Sequence, residues 1–160
     1  MTSDYRSPLG KILLAADSRG LTGLWFEGQQ HYGSTLPFTE TAENNNAEAA
    51  LAASAHWLDL YFSGSIPDFT PPVHLIGTPF QVKVWSLLPC IPYGESTTYG
   101  ALALKLQSSA RAVGTAVGRN PVSVILPCHR VLGSSGKLTG YAGGLERKSA
   151  LLLLESRNRI

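Results

Sequence analysis

The sequence predicts an α+β protein: a first part with an antiparallel β-sheet and one long helix, then a second part that is mostly helical. Three observations carry this expectation. Two strand-like runs, "SPLGKILLAA" and "LTGLWFE", flank the turn-forming tetrapeptide "DSRG". The stretch "SIPDFTPPVHLIGTP" holds four prolines and separates two differently patterned halves, which gives parts 1–76 and 77–160. Beyond it come four segments with helical patterning, the first three behind capping residues.

Each element can be justified in order. After the hairpin, "QQHYGSTLPFTETAENNN" is polar and turn-rich, hence loop. "AEAALAASAHWLDLYFSG" carries Leu51, Ala55, Leu58 and Phe62 at helical spacing and closes on Gly64, so it is a helix packed on the hairpin. His56 and Trp57 lie inside it and are assigned to packing. "TPFQVKVWSLL" opens with Thr78 as N-cap, Pro79 at the first helical position and Gln81 at the third, with Phe80, Val84, Leu87 and Leu88 as its apolar face. "TTYGALALKL" and "SSARAVGTAVG" are two short helices, capped at Thr97 or Thr98 and at Ser108 or Ser109, and their short link suggests a helix-turn-helix. "NPVSVILPCHRVLGSSGKLTGYAGG" is expected to run as a strand, a cysteine loop and a glycine-rich hairpin or loop. "LERKSALLLLESR" is expected to end the chain as a helix with Leu145, Leu152 and Leu153 facing the core.

Composition bounds the function. With 160 residues the chain can bury one full core or two small subdomains sharing an interface. At 44% hydrophobic and 15% charged it is ordinary for a globular protein, with no apolar run of membrane-spanning length. "MTSDYRSPLG" lacks the features of a signal peptide, so the expected location is cytoplasmic, with two reduced thiols, Cys90 and Cys128. The dispersed His31, His56 and His74 do not complete a structural zinc site with these, and no metal or cofactor is expected. Charge is uneven: residues 1–78 hold three basic and eight acidic side chains, a net −5, whereas residues 79–160 hold ten and three, a net +7. A polyanion is therefore expected to meet the second half.

Two motifs carry chemistry. In "VILPCHRVLG" a thiol and an imidazole are chain neighbours after a proline. Adjacent side chains point to opposite faces of a strand, so the pair can cooperate only in a tight turn, with the imidazole accepting the thiol proton. Such a histidine needs a carboxylate to orient it, and Glu155 is the best candidate in a half where acids are scarce. The residues alone leave a second reading open, an inert buried thiol beside a surface histidine. In "ARAVGTAVG", Ala110, Ala112, Gly114, Ala116 and Gly118 leave a nearly bare helix with Arg111 as the one long side chain. That suits close packing against another helix, or insertion into a narrow minor groove, where base-edge reading by long polar side chains is not needed.

Taken in order, "TPFQVKVW", "IPYGESTTYGALA", "ARAVG", "GRNP" and "PCHRV" resemble the O6-alkylguanine-DNA alkyltransferases over about residues 78–155, and "SPLGKILLAA" with "LDLYFSG" resembles that family's more variable first domain. The resemblance implies an RNase H-like N-terminal α/β domain and a C-terminal domain with a winged-helix-like helix-turn-helix. It implies that a damaged base is flipped from double-stranded DNA, approached through the minor groove. The alkyl group of O6-alkylguanine, and of O4-alkylthymine, then passes irreversibly to Cys128. By the same resemblance His129 is the base, acting through a water molecule, Glu155 holds it, Asn120 fixes the loop, and Tyr99 assists the departing guanine. Arg111 fills the gap in the base stack, Ala110, Ala112 and Gly114 lie against the groove, and Val131, Tyr141 and Ala142 line the base pocket with Cys128. The protein is expected to act as a monomer, alone or cooperatively along the duplex.

Two departures from the family pattern stand out. Tyr99 and Arg111 are twelve positions apart, a shorter interval than the pattern implies, and no cysteine precedes Cys90, so the zinc site of some members cannot be built. Cys90 matches no functional position. Arg130 is expected to anchor the loop or the fold. Two other functions compete. A module that only recognises alkylated guanine would lack the acceptor cysteine, and a cysteine hydrolase using Cys128, His129 and Glu155 would turn over many times.

Overall fold

A computed structural model describes residues 1–158. The expected α+β organisation is present, with one strand more than the hairpin alone supplies. Strands β1 (Thr2–Ser7), β2 (Gly10–Asp17) and β3 (Gly20–Phe26) form an antiparallel sheet in that order. β1 reads "TSDYRS" and stays half exposed, so it has none of the apolar alternation that marks β2. Register places Ile12 opposite Phe26 and Leu14 opposite Leu24, and a bulge follows Ala15. All of β3 is buried.

The free edge of β3 is covered by the link that ends the first part and by a piece of the second. The proline-rich link bridges it at Leu21–Val73, with Leu21 N–H on the Pro72 carbonyl and His74 N–H on the Leu21 carbonyl, both at 2.8 Å. The segment before Cys128 bridges it at Leu24–Val122, with Leu24 N–H on the Pro121 carbonyl at 2.8 Å and Ser123 N–H on the Leu24 carbonyl at 3.2 Å. The sheet is thus tied to the chain that carries the thiol.

Helix α1 (Asn45–Phe62) starts at Asn44, whose side chain accepts the Asn46 N–H. Its end is a Schellman turn: Ser65 N–H reaches the Leu60 carbonyl, Gly64 N–H reaches the Tyr61 carbonyl, and Gly64 supplies the left-handed φ of +94°. Helix α2 (Pro79–Leu87) has the predicted capping box between Thr78 and Gln81. Its inward residues are Val84 and Trp85, with Leu88 just beyond, and the Trp85 indole donates to the Ala116 carbonyl at 2.7 Å. Helices α3 (Tyr99–Leu106) and α4 (Ala110–Gly118) are capped by Thr98 and Ser109 and joined through a left-handed Gln107. The tight turn accounts for the short interval between Tyr99 and Arg111.

Two expectations fail. "VSVIL" is not a strand: beyond the single bridge at Val122 it is an irregular buried turn, with Val124 at φ +69° and Ile125 N–H on the Ser123 carbonyl. A wholly apolar run is compatible with burial on every side, so its composition could not distinguish a strand from a turn. In helix α5 (Leu145–Asn158), Leu145 and Leu153 are 50% and 51% exposed and Leu152 is half buried; the inward side chains are Lys148, Leu151 and Glu155. Polar partners, not apolar character, set that helix's rotation. A short parallel pair, β4 (Thr97–Thr98) with β5 (Val131–Leu132), was not anticipated. Among the described residues no helix is long and apolar enough to cross a membrane.

Candidate active site

Cys128 opens a single turn of 3-10 helix, Cys128–Arg130, between Pro127 and β5. This is the tight turn that adjacent thiol and imidazole require. Asn120, just past α4, clamps the approach to it: its amide donates to the Leu126 carbonyl at 2.9 Å and the Val122 carbonyl at 3.4 Å, and its oxygen accepts Val122 N–H at 3.0 Å. Those bonds hold Val124 in a left-handed conformation that a β-branched residue adopts only under constraint, at a cost of about 1–3 kcal/mol.

Below the turn lies a buried ionic network. The Glu155 Oε2 faces His129 Nε2 at 2.6 Å and accepts the Tyr61 hydroxyl at 2.7 Å and Arg130 Nη2 at 3.1 Å. Its Oε1 accepts Arg130 Nε at 2.8 Å and Gly94 N–H at 3.0 Å. Arg130 also donates from Nη1 to the Ile91 carbonyl at 2.7 Å, so the guanidinium anchors the loop as expected. Burial by itself would raise the Glu155 carboxyl, but the hydrogen bonds from His129 and Arg130 outweigh it and hold the group at about 2.

An ionised Glu155 settles the imidazole tautomer. The proton sits on His129 Nε2, which leaves the Nδ1 lone pair as the acceptor, and Nδ1 is buried with no protein partner among the described residues. Burial lowers the His129 pKa despite the carboxylate, so the ring rests neutral and able to take a proton. Burial likewise raises the Cys128 thiol, partly offset by Asn120 and the Lys148 charge. Lys148 was missed in the sequence. Its Nζ donates to the carbonyls of Val131 and Thr139, both at 2.8 Å, and burial lowers its pKa.

The rim is built from α3, α4 and residues 133–144. Tyr99, the first residue of α3, donates its hydroxyl to the carbonyl of Thr139 at 3.3 Å or Gly140 at 3.4 Å. Val131 is buried, and Tyr141 and Ala142 are half buried, with Tyr141's hydroxyl sealed inside. On α4 the bare face is narrower than its sequence suggests. Ala110, Arg111 and Thr115 are exposed, with Gly114 and Gly118 on the same side, whereas Ala112 lies beside Phe80 and Ala116 is buried against Trp85. Small residues at alternate positions cannot share one helical face.

Comparison with known proteins decides the family. Residues 79–157 match the 6-O-methylguanine DNA methyltransferase DNA binding domain, and residues 2–75 match the ribonuclease-like domain of the same proteins. The chain belongs to the 6-O-methylguanine DNA methyltransferase family. It is 43% identical to the methylated-DNA–protein-cysteine methyltransferase of Mycolicibacterium paratuberculosis, over 97% of this chain and 93% of that one. The counterpart from Methanosarcina acetivorans is 42% identical, over 94% of this chain and 95% of the other. The crystal structure of the Mycobacterium tuberculosis OGT in complex with DNA superposes with a TM-score of 0.82 at 40% identity, covering 97% of this chain and 92% of that one.

In this methyltransferase family member, Asn120 clamps the segment leading to Cys128, His129 meets Glu155, Lys148 ties Val131 to Thr139, and Tyr99 reaches the same Thr139 carbonyl. Among the described residues no contact places Ala142 with Cys128, its carbonyl accepting the Gln30 N–H instead. Arg111 stands apart on the outer face of α4. Besides Lys148, sequence reasoning missed Tyr61 and Ser123. The spacing of Lys148 and Glu155, seven residues on one helix, was the available signal for the former. Nothing local marks Tyr61 or Ser123.

Proposed function

We propose that this protein repairs duplex DNA by moving the alkyl group from O6 of guanine to Cys128 Sγ, once per molecule, and treats O4-alkylthymine alike. The observation that carries this is the buried Cys128 beside a neutral His129 whose Nε2 is fixed by ionised Glu155. The Cys128 proton passes through a water molecule to His129 Nδ1, and the imidazolium so formed is stabilised by Glu155. The thiolate attacks the alkyl carbon, the S–C bond forms as the C–O6 bond breaks, and guanine leaves as an anion that Tyr99 protonates from its hydroxyl. The base must leave the stack to reach Cys128. The exposed face of α4 supports entry from the minor groove, with Arg111 filling the space left behind. The protein acts as a monomer in the cytoplasm, with residues 1–76 as the supporting domain and 77–160 as the DNA-binding and catalytic one.

The test is to incubate the protein with a duplex containing O6-methylguanine and weigh both products. One added CH₂ on the Cys128 peptide, stopping at one equivalent, is expected. Many turnovers, or tight binding with no mass change, would overturn the proposal.

A further inference from the structure

Glu155 has more donors than acceptor sites. A carboxylate offers about four lone-pair positions, and this one meets five donors. The excess falls on Oε2, which faces His129 Nε2 at 2.6 Å, the Tyr61 hydroxyl at 2.7 Å and Arg130 Nη2 at 3.1 Å. The two shortest bonds therefore share one oxygen. Arg130 already grips both oxygens, with Gly94 N–H on Oε1, and that fork fixes the plane of the carboxylate. Tyr61 is not needed for that.

The hydroxyl reaches this oxygen from the other half of the molecule. Tyr61 lies on α1, wholly buried, with its ring parallel to Trp57 at 5.2 Å. Phe62 and Tyr93 meet the ring edge-on at 5.2 and 6.1 Å. Ring packing thus places the hydroxyl independently of its hydrogen bond. Burial and the Glu155 charge push the phenol above its usual range, so it stays protonated and always donates. A hydrogen bond to a carboxylate is strongest while that charge is uncompensated. When His129 takes up a proton, its own charge answers Glu155 and the phenol's bond weakens. Tyr61 therefore favours the neutral imidazole over the imidazolium.

We propose that Tyr61 is a positioning residue acting through Glu155: by sharing Oε2 it weakens the carboxylate's pull on His129 and so keeps Cys128 a thiol at rest. The thiol proton still passes to His129 when the reaction runs, and Tyr61 keeps its own. A nucleophile used once gains from such a brake, because a standing thiolate reacts with any electrophile that reaches it. The proposal rests on Cys128 being the nucleophile and His129 its base.

The experiment follows iodoacetamide alkylation of Cys128 against pH, by mass of its peptide, in the whole chain with Cys90→Ser. No DNA or alkylguanine is involved, so failure here leaves the repair proposal standing, and the converse. At high pH the thiol is ionised without help from His129, so that plateau measures access. The rate at pH 7 divided by the plateau measures how far His129 draws off the proton. Tyr61→Phe keeps the ring packing and should raise this ratio about tenfold, part of the worth of a hydrogen bond to a charged group. Tyr61→3-fluorotyrosine, a more acidic phenol and a stronger donor, should lower the ratio below the parent's, and it decides the matter if the Phe variant does not fold. An unchanged ratio in Tyr61→Phe overturns the proposal. So does a fall, which is what loss of mere support for Glu155 would give, or an unchanged or raised ratio with the fluorinated phenol.

Discussion

The buried network beneath Cys128 and the exposed side of α4 are built on opposite principles. The buried side gathers Glu155, His129, Arg130 and Lys148 out of water and gives the carboxylate five donors. The exposed side of α4 offers short side chains, backbone and Arg111. Charges are expensive to bury, so the buried side is fixed in advance and cannot adapt. The exposed side of α4 carries no buried charge. With DNA held on that side, as proposed above, chemistry and recognition should be separable by mutation.

The strongest break would come at the nucleophile. Cys128→Ser should abolish methyl transfer, followed by mass, while leaving duplex binding at parent affinity. Glu155→Gln should remove transfer and also destabilise the fold by about 3–5 kcal/mol in urea unfolding, because it weakens a buried network whose charge Arg130 would still carry. Its pH dependence sharpens the point. The folded carboxyl titrates at about 2 against an ordinary 4.5, so its contribution is complete above 4.5 and is lost as pH falls towards 2. The lowered His129 pKa works in the same direction: stability holds above its ordinary 6.5 and declines as pH drops below it. The Gln variant should lack the step between 4.5 and 2.

Changes at the rim should be smaller and should fall on DNA alone. Arg111→Ala should slow repair of duplex substrate about tenfold, roughly the worth of one stacking contact, while reaction with a free alkylguanine base is unchanged. Equal losses on both would end the distinction between the buried network and the exposed helix. Gly118→Ala should give the smallest effect. A methyl group there meets nothing within 4 Å, so the helix should gain about 0.8 kcal/mol in thermal denaturation while duplex binding weakens slightly.

The same division governs what could be read in the sequence. Capping was legible at Thr78, and to within one residue at Thr98 and Ser109, because it depends on residues a few positions apart. Glu155 could be assigned to His129 because acids are rare in that half, and the structure brings them together. Tyr61 was not legible, since its bond to Glu155 spans 94 positions and joins the two halves. The inward turn of Lys148 was hidden by four consecutive leucines that seemed to define the core face of α5. Val124's left-handed backbone has no signature in "VILP", where glycine or asparagine would have given one.

The bridges from Leu24 to Val122 and from Leu21 to Val73 also bear on solubility. β3 is buried throughout, and an unpaired edge of that kind is a template for other chains to add to. Here the vacant backbone groups are taken by the link and by the segment leading to the nucleophile. A fragment beginning at residue 77 would therefore lose the support beneath its thiol, and residues 1–76 alone would keep the link on Leu21 but bare the edge at Leu24.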